Sequence, residues 1–260
     1  MRMRVVQHRD RRRRARWRRG LWGGGEVLVT VGAVLMLLVV HQLWWTNREA
    51  RQGAERKVEA LEREWGSGGR GDGAASGAAP SASASSPVAT APGRARQRSA
   101  TPVIVSGRPG PSQAYAVLTI PRLHLRVPVA EGVSKPGVLN KGYVGHYPGT
   151  QQPGQAGNFA LAGHRNTHGE PFRYLPGLRP KDTLQVETAT ATYTYAVDKV
   201  LPQTSSRDSG VVRPVPRSLV RPSYGYDEPG YYITLTTCTP EFTSRYRMVV
   251  WGKLVSMRPR

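Results

Sequence analysis

A long apolar run near the N-terminus constrains this chain more than any other feature of its sequence. The 19 residues from Val27 to Trp45 contain no Asp, Glu, Lys or Arg, and a transmembrane helix needs about 20 predominantly apolar residues. A secretory signal peptide has a shorter apolar region that ends in small residues, whereas this run ends in two tryptophans suited to a membrane interface. Ten arginines precede it, which disfavours the alternative of a buried core helix. We therefore expect a transmembrane signal anchor over residues 26–45, with the basic residues 1–25 in the cytoplasm and the rest of the chain outside the cell.

The segment that follows the apolar run, residues 46–112, changes from charged to low in complexity. Its first part is rich in Arg, Glu and Ala and carries Val58, Leu61 and Trp65 at helical spacing. We expect a short charged helix there that is solvated and has no partner. Residues 66–112 are mostly Gly, Ala, Ser and Pro. Such a composition cannot bury enough apolar surface to offset its ordering entropy, so this part is predicted to be a flexible linker.

From residue 113 onward the sequence changes to short β-rich runs separated by Gly and Pro. The alternation of Thr and Tyr in residues 192–197 is the clearest pattern of period two. Several short strands with little helical periodicity indicate a closed barrel or a sandwich in residues 113–260. The seven expected strands cover residues 116–120, 127–129, 158–162, 183–186, 191–200, 231–237 and 247–255.

Charge and cysteine content exclude several classes of protein. The net charge of +21 at first suggests a nucleic-acid-binding protein, but many of the arginines precede the apolar run, where they act as a topology signal. No nucleic-acid partner is therefore expected. The single cysteine excludes an intramolecular disulfide framework and a Cys-rich zinc module.

The single cysteine, Cys238, follows the strand-like run of residues 231–237. It is expected outside the membrane, where an unpaired thiol is exposed to oxidation. A lone cysteine in a cytosolic protein is often a small buried hydrophobe. At an extracytoplasmic strand end, a catalytic nucleophile is the better hypothesis.

A histidine after another strand-like run is the natural partner for this thiol. His164 directly follows Gly163, which allows a tight turn. A thiol attacks as the thiolate, so cysteine catalysis needs a neighbouring base or imidazolium. His146 and His168 are interpreted as loop residues that form hydrogen bonds, because the Glu of a metalloprotease HExxH helix is absent. A zinc site made of these three histidines and Cys238 matches no standard ligand spacing.

Two arginines, Arg245 and Arg247, stand at the start of the last expected strand. A guanidinium beside a thiolate can stabilise an oxyanion or orient a substrate backbone. Strand alternation places both arginines on one face, so the pattern alone leaves both as candidates.

Together these segments resemble the sortases, cysteine transpeptidases that attach proteins to Gram-positive cell walls. The resemblance rests on the sequence TLTTCTP around Cys238, with Arg247 nine residues later and a Gly-His-Arg segment at residues 163–165. The segment GHYPGT at residues 145–150 and the AGHR that contains this Gly-His-Arg are most similar to class E sortases of high-GC Gram-positive bacteria. The resemblance covers residues 115–256.

The resemblance implies that Cys238 is the nucleophile, His164 the catalytic histidine and Arg247 the active-site arginine, since the family's arginine directly precedes the last strand. It also implies an all-β fold, a closed eight-stranded barrel with short helices in its loops, and neither a metal nor an organic cofactor. The loop over residues 203–229 is implied to shape substrate selection. Three further residues are candidates for substrate binding, with packing as the alternative for the two tyrosines: Thr237, Tyr147 and Tyr224.

The same resemblance implies the reaction and its partners. The enzyme would cleave an LAxTG- or LPxTG-type sorting motif of secreted proteins between Thr and Gly and form a thioester through Cys238. It would then join the Thr carbonyl to an amine of a lipid-linked peptidoglycan precursor. The N-terminal helix would hold it in the membrane lipid as a single-pass protein, with the catalytic domain, residues 113–260, outside the cell.

Three other functions compete with this one. An L,D-transpeptidase also uses an extracytoplasmic Cys and His, but close together in a Ser-x-Gly-Cys pattern, whereas His164 and Cys238 are 74 residues apart. A papain-like hydrolase would place its Cys ahead of its His. The non-enzymatic alternative is a membrane-tethered β-domain that binds anionic wall polymers, and such a protein would keep its binding after Cys238→Ala.

Overall fold

The computed structural model describes residues 8–68 and 108–260, which form an N-terminal helix and a closed β-barrel. Helix α1 spans His8–Gly68. Within the described ranges it is the one helix long and apolar enough to cross a membrane. The predicted flexible linker falls mainly on residues 69–107, which lie outside the described part of the chain.

The apolar part of α1 is exposed along its whole length. Its large hydrophobic side chains from Val27 to Trp45 expose between 50% and 76% of their surface. Soluble proteins rarely leave so large and continuous an apolar surface uncovered. The length and composition of this segment therefore fit a membrane span.

The charged part of α1 is docked on the barrel, so the expectation of a solvated helix without a partner over residues 47–65 is wrong. Ala50, Ala54, Val58 and Leu61 are all buried. They follow one another at spacings of four, four and three residues, which places them on one face of the helix. The two alanines extend the apolar face of the helix toward its N-terminus. The sequence pattern is based on larger apolar residues and so does not include them. The barrel-side residues packed with Val58 and Leu61 are apolar: Ala114, Val117, Ala130 and Val138.

Eight strands close the barrel, which confirms the all-β, eight-stranded fold that the resemblance implies. Seven of them match the strands expected from the sequence. The eighth, β3, has three residues, too few to show a period-two pattern. The strands are β1 Ala114–Ile120, β2 Leu125–Glu131, β3 Val144–His146, β4 Gly157–Ala162, β5 Thr183–Thr188, β6 Ala191–Ser205, β7 Tyr231–Thr239 and β8 Tyr246–Pro259.

The order of strands around the barrel is β1-β2-β3-β4-β7-β8-β6-β5. Strands β4 and β7 are parallel neighbours, and β7 and β8 are antiparallel neighbours. The C-terminal ends of β4 and β7 and the N-terminal end of β8 therefore meet at the same edge of the barrel. This edge carries the candidate site.

The core confirms the alternation seen in residues 192–197. Tyr195 and Val197 on β6 are buried inside the barrel, where they pack with Phe159 and Phe172. The Tyr195 hydroxyl accepts a hydrogen bond from the Gly154 backbone amide at 2.9 Å, so its polar end is satisfied within the packed interior.

Candidate active site

Cys238 lies near the C-terminal end of β7, where the strand leaves the packed interior. The six residues before it, Tyr232 to Thr237, are buried, whereas Cys238 itself is partly exposed. The Thr236 hydroxyl, on the same face, donates to the Leu161 carbonyl at 3.1 Å and ties β7 to β4. The thiol is therefore held on a rigid strand but remains open to solvent.

Arg247 lies directly opposite Cys238 in the antiparallel pairing of β7 with β8. Its Nη1 donates to the carbonyl oxygens of Ser244 at 2.8 Å and Tyr246 at 3.0 Å, which orients the guanidinium plane. Arg245 precedes β8, and its guanidinium lies 5.2 Å from the centre of the Tyr246 ring. The structure thus distinguishes Arg247, which pairs with Cys238, from Arg245, although strand alternation places both on one face.

His164 follows β4 by two residues and reaches the same edge. In the parallel register of β4 and β7, Ala162 pairs with Thr236. His164 and Cys238 each lie two residues beyond this pair, so they are at the same level along the two segments. The Gly163 amide donates to the Thr236 carbonyl at 3.1 Å and continues this pairing. A Cβ on Gly163 would lie 2.6 Å from the Phe172 ring, so glycine is required for the close approach to this ring.

The surroundings of His164 favour the neutral imidazole. Burial, together with the positive charges of His168 and Lys135, lowers its pKa to about 4. The His168 ring stacks on it, with 5.4 Å between ring centres. Nε2 of His164 lies 3.0 Å from Oδ1 of Asn140. Because that oxygen can only accept, Nε2 carries the proton and Nδ1 is the unprotonated nitrogen of the neutral ring.

Cys238, His164 and Arg247 line one cavity of about 1240 Å³. Its walls come from the loop after β4, the loop between β7 and β8, and α1 between Leu35 and Asn47. Arg247 also lines a second cavity of about 240 Å³, formed with the loop after β6. One arginine therefore joins the two cavities.

Of the three candidate substrate-binding residues, one lines a cavity next to Arg247. Tyr147 borders the smaller cavity, and its hydroxyl lies 3.0 Å from the Thr236 hydroxyl. The Thr237 side chain is buried and donates to the Gly163 carbonyl at 2.8 Å, so its hydroxyl links β7 to the turn after β4. Tyr224 packs at the edge of an apolar cluster with Val211, Trp251 and others. This geometry gives no support to substrate contacts by the side chains of Thr237 or Tyr224.

The other two histidines have different surroundings. His146 is fully buried, with Nδ1 2.7 Å from a Glu131 carboxylate oxygen, which fits the hydrogen-bonding role expected for it. It lies on β3, however, and not in a loop. His168 lies in the loop after β4, as expected, and it also lines the cavity and stacks on the His164 ring, a position that its interpretation as a hydrogen-bonding loop residue does not include. In residues 8–68 and 108–260, no three His, Cys, Asp or Glu side chains converge as metal ligands would.

Three polar residues near the site are not marked as site residues by the sequence. Asn140 contacts His164, and Lys135 lies close enough to affect its pKa. Arg165 donates from Nη1 to the Thr239 hydroxyl at 3.1 Å and so connects the loop after β4 to the end of β7. Arg165 is visible in the sequence only as part of the Gly-His-Arg segment, and Asn140 and Lys135 stand in no pattern that distinguishes them.

Comparison with known proteins gives a consistent result. The family model described as the sortase domain matches residues 118–255. The chain is 42% identical to Sortase SrtE1 of Streptomyces coelicolor over 241 residues, which are 91% of this chain and 57% of that protein. This chain thus spans little more than half of that relative's length. It is 32% identical to Sortase SrtE2 of the same organism over 242 residues, covering 89% of this chain and 80% of that protein.

Solved structures show the same similarity. The crystal structure of Sortase E1 from Streptomyces coelicolor with a tripeptide in the active site superposes with a TM-score of 0.54 and 51% identity, covering 59% of this chain and 94% of that one. Sortase E from Streptomyces avermitilis superposes with a TM-score of 0.51 and 39% identity, covering 58% of this chain and 93% of that one.

Proposed function

Because the chain belongs to the sortase family, whose members are cysteine transpeptidases, we propose that it is a membrane-anchored transpeptidase acting on sorting motifs outside the cell. One observation carries this proposal. Cys238, His164 and Arg247 come from the ends of three adjacent strands and line one cavity. A thioester mechanism needs such a set of groups: a nucleophile, a proton carrier and a cation for the developing oxyanion.

The first half-reaction forms a thioester. Sγ of Cys238 attacks the Thr carbonyl carbon of an LAxTG- or LPxTG-type motif, and His164, neutral because of its low pKa, accepts the thiol proton. Arg247 stabilises the negative charge that develops on the carbonyl oxygen. The bond between Thr and Gly then breaks, and the Gly amine leaves with the proton from His164.

The second half-reaction transfers the peptide to an amine of a peptidoglycan precursor. The amine attacks the thioester carbonyl, and His164 removes its proton. The C–S bond breaks, and this proton returns to Sγ of Cys238. The secreted protein is then joined to the precursor through an amide bond, and the free enzyme is restored.

The two cavities that meet at Arg247 suit a peptide substrate and a separate acceptor. The smaller cavity has Tyr147 and Thr236 on one side and the loop after β6 on the other. We assign it to the sorting motif, with Tyr147 as a contact residue. The larger cavity, which reaches from Cys238 to α1, is assigned to the acceptor.

The N-terminal helix supports a location at the cell membrane. Its exposed apolar segment has the length of a membrane span. The arginines before that segment favour a cytoplasmic N-terminus under the positive-inside rule. The catalytic domain would then lie on the outer side, where secreted proteins and wall precursors are found.

Incubation of the full-length protein in detergent micelles with sorting peptides and amines tests the proposal. We expect a product in which the Gly of the peptide is replaced by the amine, identified by mass. Cys238→Ala should abolish it, and His164→Ala should reduce the rate by about 10²- to 10⁴-fold. Arg247→Ala should cost about 10²- to 10³-fold.

Two variants serve as matched controls, because each changes the same residue type beside the site. Arg245→Ala and His168→Ala should lose much less activity than Arg247→Ala and His164→Ala. Product formation by Cys238→Ala, or equal losses for Arg245→Ala and Arg247→Ala, would contradict the assigned roles.

A further inference from the structure

The part of α1 that follows the apolar segment is bound to the barrel by polar contacts as well as by its buried apolar face. Asn47 and Arg51 contact Gly169 and Glu170 in the loop after β4. Nδ2 of Asn47 donates to Oε1 of Glu170 at 2.9 Å, and Nη2 of Arg51 donates to Oε2 at 2.9 Å. Nε of Arg51 donates to the Gly169 carbonyl at 3.1 Å, and the Gly169 amide donates to Oδ1 of Asn47 at 3.3 Å.

The carboxylate that receives these bonds is buried. The Glu170 side chain exposes only 4% of its surface. Nη1 of Arg173, in the same loop, donates to Oε2 of Glu170 at 2.7 Å. A buried carboxylate is costly unless its oxygens are bonded. Removing the donors on α1 would therefore leave the buried Glu170 carboxylate with fewer hydrogen bonds and destabilise this loop.

The loop is one that needs external support. It contains His164, and three consecutive residues in it have positive φ: His168 at 53°, Gly169 at 82° and Glu170 at 53°. A residue other than glycine costs roughly 1–2 kcal/mol in this left-handed region. Two such residues around a glycine persist because surrounding contacts hold them, and the contacts from α1 act on two of the three residues.

The same helix supports the other side of His164. Asn140, which binds Nε2 of His164, is preceded by Leu139, and Leu139 packs against the cluster that contains Val58 and Leu61 of α1. Gly142 follows two residues later with φ of 78°, and a Cβ there would lie 2.8 Å from the Ala50 carbonyl. The helix therefore contacts both the loop that carries His164 and the turn that carries its hydrogen-bond partner.

We propose that Asn47 and Arg51 are positioning residues for His164, so that the docked part of α1 forms part of the active-site architecture. The expected effect on activity rests on the proposed function, whereas the docking of α1 on the barrel does not. The membrane helix and the catalytic histidine then belong to one rigid unit, which fixes the orientation of the site relative to the bilayer.

Arg51→Ala in the full-length protein in detergent micelles tests this role. We expect kcat for the sorting peptide to fall about 10- to 100-fold, as small misplacements of catalytic groups do, with KM changed less than about twofold. Arg51→Lys keeps the charge beside Glu170 but cannot reproduce the Nε contact with Gly169, and should give an intermediate rate. The matched control is Arg63→Ala, since Arg63 bonds the Glu59 carbonyl of its own helix and should behave like the unaltered protein.

Hydrogen exchange gives a readout that needs no activity. In Arg51→Ala, exchange at residues 164–172 should become faster, while exchange in β7 should not change. Unchanged kcat and unchanged exchange in that loop would overturn the inference. So would an equal loss in Arg63→Ala, or a loss of activity that disappears at a lower assay temperature, since that would show unfolding alone. If the unaltered protein turns over no sorting peptide, the proposed function fails, and the exchange measurement still decides the positioning role.

Discussion

At the residue scale, the neighbours of His164 decide how it handles a proton. Asn140 holds Nε2, the His168 ring stacks on one side, and the pKa is lowered to about 4, with burial as the main cause. In the proposed mechanism, an imidazole that is neutral at rest takes a proton from the thiol and gives it to the leaving amine. These neighbours come from two loops that are distant in the sequence.

Lys135→Gln should raise the pKa of His164. The ammonium of Lys135 disfavours the imidazolium, so its removal moves the pKa upward toward the usual value near 6.5. The ring proton signals of His164, followed by NMR across pH 3.5 to 8, measure the shift. Lys141→Gln provides the control. An unchanged or lower pKa in Lys135→Gln would show that this ammonium does not depress the pKa of the histidine.

At the element scale, the parallel pairing of β4 with β7 brings the histidine and the cysteine together. The register of the two strands continues through Gly163, whose amide bonds the Thr236 carbonyl and whose carbonyl accepts from Thr237. His164 is thus placed by the backbone of a sheet. The contacts of the loop after β4 with Asn47 and Arg51 then orient His164.

Gly163→Ala should lower both stability and activity. The new Cβ would lie 2.6 Å from the Phe172 ring, which is fully buried, so either the ring or the end of β4 must move. Overpacking of this kind costs about 1–3 kcal/mol, measured by denaturant unfolding, and kcat should fall because His164 is the next residue.

Gly177→Ala is the control for that substitution. A Cβ at Gly177 would meet its nearest neighbour, Leu123, at an ordinary distance of 3.7 Å. Its stability should stay within about 1 kcal/mol of the unaltered protein. Equal stability of Gly163→Ala and Gly177→Ala would show that the space between residue 163 and the Phe172 ring can accommodate a Cβ.

At the scale of the whole molecule, one continuous helix joins an apolar segment long enough to span a membrane to the β-barrel. Exposed apolar side chains occupy α1 up to Trp45, and the buried stripe begins at Ala50. Only about one helical turn separates the two. The cavity that contains Cys238 is bounded on one side by Leu35, Leu38, Val39 and Leu43 of the apolar segment, so the site lies beside the segment expected to cross the membrane.

Stability of the molecule should decrease as the pH falls from about 6.5 to about 4. In the folded protein the pKa of His164 is about 4, whereas in the unfolded chain it is near 6.5. Between these values the unfolded state binds more protons, so the free energy of unfolding falls as the pH is lowered. Denaturant unfolding at pH 7.0, 5.5 and 4.5 measures this fall. His164→Asn should show a weaker pH dependence over the same range, and an identical dependence would contradict the assignment to His164.

The sequence by itself determined the features that depend on local patterns. The apolar run, the period-two strands and the motifs around Cys238 and His164 are contiguous in the chain, so they could be recognised without a structure. The local patterns predicted seven strands, and the motifs carried the resemblance to the sortases. That resemblance implied the eighth strand and selected Cys238, His164 and Arg247, which all line the main cavity.

Only the tertiary structure decided what depends on contacts between distant segments. Strand parity leaves Arg245 and Arg247 equivalent, and the resemblance favours Arg247, but only the pairing of β8 with β7 shows that Arg247 lies directly opposite Cys238. The alanines of α1 carry no strong apolar signal, yet they are buried because the barrel offers a surface that fits a helix. The low pKa of His164 arises from burial and from charges 29 residues before it and four after it along the chain. Local patterns report the backbone conformation of a segment, whereas burial, register and electrostatics are set by the groups that folding brings against it.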